Sequence, residues 1–166
     1  MHNYHQGLST AVRVSRYVLS TVLFAWASVA AAEYGYEPDT DPAVTYQAAL
    51  QQSAREEKLV LLIFGSDWCP DCRSLNKKLG QAPLAATVED SFVVAHVDIG
   101  NWDKNMAFTK QFGEPVAQGI PSIAIVAPNG NVLYVSEAGE FASARSAELP
   151  ALNGWFTDML KQLSEQ

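Results

Sequence analysis

A chain of 166 residues, 48% hydrophobic and 17% charged, has the make-up of a soluble globular domain, not of a disordered or fibrous protein. Its formal charge of −7 argues against nucleic acid as a partner, because that task calls for a basic face. No internal repeat or low-complexity tract asks for a second folded domain.

Met1 to Ala32 reads as a secretory signal peptide: Arg13 and Arg16 form a basic start, Val18 to Ala27 an apolar core, and Ala30-Ala31-Ala32 a small-residue exit. A periplasmic or otherwise exported protein is therefore expected. The apolar core is short for a spanning helix and is interrupted by Ser20, Thr21 and Ser28, which makes a retained membrane anchor the weaker reading. Cleavage after Ala32, or at the comparable Ala30, removes two arginines and no acid. After the Ala32 cut, 134 residues remain, with nine cations against eighteen acids, a charge of −9. That length still supports a compact core, and export places the cysteines where disulfides persist.

Residues 33–41 are polar, with Tyr34, Tyr36 and Pro38, and read as an extended lead-in to a domain spanning 42–166. Asp41-Pro42 is a cap followed by a first-turn proline, so a helix runs from there to about Lys58. Leu59 to Phe64 is an unbroken apolar run, the pattern of a strand buried on both faces at the sheet centre. A second helix, Pro70 to Leu79, ends at Gly80, and a short helical turn follows over Leu84 to Glu89. Phe92 to Ile99 is a second strand, parallel to the first through a right-handed crossover. A third helix is expected from Trp102 to Phe112. Strands Ser122 to Ala127 and Val132 to Ser136 flank Asn129-Gly130, a hairpin turn. After a polar stretch in which only Phe141 is apolar enough to dock, Leu152, Trp155, Phe156, Met159, Leu160 and Leu163 repeat at the helical period and predict a terminal helix packed on the sheet.

Cys69 and Cys72 are the chain's only cysteines and sit where the first strand hands over to the second helix. Unpartnered N–H groups and the positive end of the helix dipole stabilise a thiolate at Cys69, which makes it the expected nucleophile. Cys72, one turn on, faces the same side and is the expected resolving thiol. A purely structural bridge around so short a loop would gain only about 2 kcal/mol from chain entropy. No metal is expected: the two cysteines with His96 supply at most three soft ligands, and a second ligand pair is absent. No organic cofactor is expected either.

The order helix, strand, Cys-x-x-Cys helix, strand, helix, strand, strand, helix, with Trp68 before the cysteines and Ile120-Pro121 before the hairpin, resembles the thioredoxin fold over roughly Pro42 to Leu163. The similarity is to exported bacterial thioredoxin-like thiol:disulfide oxidoreductases. It implies an α/β domain with a central mixed sheet flanked by helices, attack by Cys69, resolution by Cys72, and a cis Pro121 beside the pair. The backbone groups of Ile120 would then pair with an extended substrate segment, with Trp68 as one wall of the site. Protein substrates bearing disulfides or thiols are implied, with a membrane-embedded thiol protein as electron donor to a monomeric enzyme.

Two departures from the family stand out. Its typical members carry a buried aspartate six residues before the first cysteine, where this chain has Ile63. His96, near where those proteins place a lysine, is a candidate proton relay, set against a hydrogen-bonded histidine that only packs. The Phe112 to Gly119 approach to the proline is also longer, at a place that borders the substrate groove implied by the resemblance. Asp67 and Asp71 oppose a Cys69 thiolate by like charge, which predicts a weakly oxidising pair. The rival reading is a noncatalytic thioredoxin-fold module that holds a partner on the Trp68 and Pro121 surface.

Overall fold

The computed structural model describes residues 35–165, apart from Pro38 and Ala138. The expected signal peptide, with Tyr34, lies outside the described residues. The elements are α1 (Pro42–Glu56), β1 (Leu59–Gly65), α2 (Pro70–Leu79), α3 (Leu84–Ser91), β2 (Phe92–Asp98), α4 (Met106–Thr109), β3 (Ser122–Val126), β4 (Val132–Val135) and α5 (Leu149–Ser164). Among the described residues, no helix is long and apolar enough to cross a membrane.

The four strands form one mixed sheet in the order β2-β1-β3-β4. β1 runs parallel to β2 and antiparallel to β3, and β3 pairs with β4 as a hairpin. Val60 to Phe64 are all fully buried, as expected of an interior strand covered on both faces. At about 1.5–3 kcal/mol for each large apolar side chain removed from water, this strand anchors the core. Alternation along it sorts the two faces. Phe64 meets Phe112 on one face, where Tyr46 of α1 and Phe108 complete an aromatic cluster. Ile63 and Gly65 share the other face with His96 and Asp98, their partners in register. There Phe92 packs edge-on against Phe156 of α5, and α2 supplies Asn76 to His96.

The expected helix over Trp102 to Phe112 is much shorter in the structure. Gly100, Trp102 and Asn105 all have positive φ, and the carboxylates of Asp98 and Asp103 accept the backbone N–H groups of Gly100 and Asn101. These side-chain bonds give the backbone an alternative to helix. Only Met106–Thr109 is α-helical, continued by a 3-10 turn at Lys110–Phe112. A further 3-10 turn, Pro115–Gln118, occupies the approach to Pro121. Phe141 docks as expected, with its ring 4.9 Å from that of Trp155.

Candidate thiol–disulfide site

Cys69 is the N-cap of α2. Its extended backbone leads into Pro70 at the first helical position, and its Sγ accepts the N–H of Cys72 at 3.3 Å. One of the free donors of the helix start is thus aimed at the sulfur. The Cys69 thiol in turn donates to the Ile120 carbonyl at 3.6 Å. The Ile120–Pro121 peptide is cis, and both residues are buried. Both cysteines are reduced in this structure.

Trp68 stands beside Cys69 with 45% of its surface exposed. Its indole N–H donates to the Gly100 carbonyl at 2.8 Å, and its ring lies 5.4 Å from that of Trp102, which is similarly exposed. Trp102 joins the rim because the 100–105 loop turns it there, a placement hidden by its assignment to a helix. The exposed aromatic pair makes up the open rim of the site, with Cys69 (4% exposed) and Ile120 (5%) buried beside it.

The other side is closed. Cys72 is fully buried, and burial, reinforced by the neighbouring Cys69 thiol, holds its pKa far above the ordinary thiol value. The Ser66 backbone and the Tyr36 hydroxyl act in the opposite direction on it. Tyr36, from the lead-in segment, is 4% exposed. Its N–H donates to the Asp67 carboxylate at 3.4 Å, and its ring packs edge-on against His96 at 5.0 Å. Sequence reasoning missed this residue as part of the site, because a lone tyrosine before the first helix carries no periodic signal.

Ile63 is fully buried opposite His96 in the sheet register, so no acid stands there. His96 Nε2 lies 3.0 Å from Asn76 Oδ1, and burial pushes the imidazole pKa down to about 4. A ring with that pKa is neutral at physiological pH and is a weak base.

Asp71 departs from expectation. It does not face Cys69 as a bare like charge: one carboxylate oxygen accepts the Arg145 N–H at 3.0 Å and the other lies 3.7 Å from Arg145 Nε. Lys78, further along α2, donates to the carbonyls of Ala144, Arg145 and Ala147, so α2 holds the 139–148 loop at two points. Among the described residues no cluster of three or more His, Cys, Asp or Glu side chains could hold a metal ion.

Comparison with known proteins agrees with this architecture. Residues 41–128 match the thioredoxin-like family model. A disulphide isomerase from Xylella fastidiosa Temecula1 is 33% identical, with 75% of this chain and 95% of that one aligned at a TM-score of 0.73. The C-terminal domain of Neisseria meningitidis DsbD shares the fold at 20% identity in both forms solved. Its oxidised form covers 72% of this chain and 96% of its own at a TM-score of 0.52, and its reduced form 70% and 95% at 0.51. No curated protein matches the chain. The chain belongs to the thioredoxin-like family and carries, in Cys69 and Cys72, the paired thiols of a thiol:disulfide oxidoreductase.

Proposed function

We propose that this chain is an exported enzyme that reduces or isomerises disulfides in protein substrates, with Cys69 as nucleophile and Cys72 as resolving thiol. The observation that carries this reading is the Cys69 sulfur at the start of α2, accepting a helix N–H on the side of the site rimmed by Trp68 and Ile120. The similarity to a protein described as a disulphide isomerase supports it. An extended substrate strand pairs with the backbone of Ile120 beside Pro121, and Trp68 packs against it. The Cys69 thiolate attacks one sulfur of the substrate disulfide and releases the other as a thiol. Cys72 then attacks Cys69, so that the Cys69–Cys72 disulfide forms and the second substrate sulfur leaves with a proton. Resolution yields reduction; return of the substrate thiol before resolution yields isomerisation.

Asp67 remains an acidic neighbour of the pair, although Asp71 is compensated by Arg145. An acidic neighbour disfavours strong stabilisation of a thiolate, which favours a weakly oxidising disulfide. Continued reduction needs an electron supply, and a membrane-embedded thiol protein fits a monomer exported by its first 32 residues. The test is insulin reduction by wild type and Cys69→Ser, with glutathione equilibration of the pair. Activity lost in the variant and a potential well below that of strong oxidants support the proposal. A potential near about −120 mV contradicts the direction, and partner binding that survives loss of both cysteines favours the noncatalytic module.

A further inference from the structure

The buried side of the site contains a hydroxyl that the reaction above does not use. Tyr36 Oη is buried and, among the described residues, has no partner of good hydrogen-bond geometry. A buried donor left unpaired costs free energy, so its position asks for an explanation. Tyr36 Oη and Cys72 Sγ both lie within 3.0 Å of the point where a β-carbon on Gly65 would sit. The glycine at the end of β1 therefore leaves room for the two groups to meet behind the reactive pair. A neutral thiol is a weak acceptor, whereas a thiolate is a strong one, so a hydroxyl unpaired beside the thiol gains a partner when the sulfur ionises.

We propose that Tyr36 is the hydrogen-bond donor that stabilises the Cys72 thiolate during resolution, performing from the lead-in segment a task for which Ile63 has no polar group. The assignment rests on the disulfide-exchange reading of the pair. In this step the Cys72 proton passes to solvent, and the sulfur attacks Cys69 while its charge is held by the Tyr36 O–H. The Cys69–substrate bond breaks, the Cys69–Cys72 bond forms, and the departing substrate sulfur takes up a proton. Tyr36 keeps its own proton throughout: burial and the negative charges of the Cys72 thiolate and Asp67 raise its pKa. The charged and titratable groups that bear on this pocket are Cys69 from the helix start, Asp67 from the preceding loop, and His96 and Asp98 from β2. His96 is neutral, and Asp98 accepts the Ser66 hydroxyl and pairs with Lys104.

The test uses protein expressed from the full chain and reacted with an aromatic disulfide that releases a coloured thiol twice, once on Cys69 attack and once on Cys72 resolution. Tyr36→Phe keeps the ring and its packing on His96. The second release should slow about tenfold, and its pH midpoint should rise by about one unit, while the first release keeps its rate. The unchanged first release also reports that the variant is folded. Replacing Tyr36 with 3-fluorotyrosine, a stronger donor of nearly the same size, should move the midpoint the other way. A second phase with wild-type rate and midpoint in Tyr36→Phe, or a midpoint unmoved by fluorination, overturns the assignment. Failure of wild type to reduce insulin, with both colour phases intact and shifted as described, would defeat the protein-substrate reading and leave the role of Tyr36 standing.

Discussion

Cys69 and Cys72 are one helical turn apart, yet their surroundings differ in kind. Cys69 meets a helix N–H, a backbone carbonyl and an exposed tryptophan rim. Cys72 is sealed beneath it, fully buried, with a tyrosine hydroxyl and a neutral histidine behind. Cys69 therefore sits beside the rim, 4% exposed, with a helix donor on its sulfur, whereas burial pushes the Cys72 thiol towards its protonated form. Such a pair attacks substrate with one sulfur and holds the other in reserve until a mixed disulfide exists.

The largest expected effect comes from removing Cys69. Cys69→Ser should lower insulin reduction by at least about a thousandfold, because an alcohol is a far poorer nucleophile than a thiolate at neutral pH. Cys72→Ser should instead leave the first attack intact and accumulate the mixed disulfide, visible as a mass increase on denaturing gels run without reductant.

On the interior side, the His96 pKa of about 4 lies below the ordinary value of 6.5. Between these values the unfolded chain binds more protons than the folded one, so stability is full above the upper value and is lost as pH falls towards the lower. After discounting for the ring's partial exposure, the loss should be about 2 kcal/mol. Urea midpoints measured across this range should show the slope, and His96→Gln should flatten it.

Much of this architecture could be read from residue patterns. Asp41-Pro42, Cys69-Pro70 and Gly80 bound their helices because caps, first-turn prolines and terminal glycines act locally. The apolar runs of β1 and β2 identified a buried parallel pair for the same reason. The failures have different causes. Phe108 and Phe112 have helical spacing, but the segment before them is turned by carboxylates at Asp98 and Asp103 and by left-handed residues. Asp71 reads in the sequence as a like charge beside Cys69, but Arg145, which pairs with it, is 74 residues away. The thiol pair was legible from its spacing and its place between strand and helix. The hydroxyl behind it was not, since only the folded chain brings Tyr36 to Gly65 and Cys72.

Smaller effects sharpen the contrast between the two sides. Trp68→Ala should raise KM for a protein disulfide about three- to tenfold with little change in kcat, since an exposed ring at the rim contributes binding area rather than chemistry. Steady-state insulin turnover separates the two constants. Smallest of all, Asp71→Asn should cost about 1 kcal/mol or less in urea unfolding. The amide keeps an oxygen for the Arg145 N–H, and the Arg145 side chain is 64% exposed, so solvent already screens the pair.

The asymmetry of the two thiols is tested most directly by alkylating the reduced wild-type protein with iodoacetamide at neutral pH and following each cysteine by mass spectrometry of its peptide. Cys69 should be labelled at least about tenfold faster than Cys72. Equal rates, or labelling of Cys72 first, would contradict the division of roles between the nucleophile beside the rim and the fully buried resolving thiol.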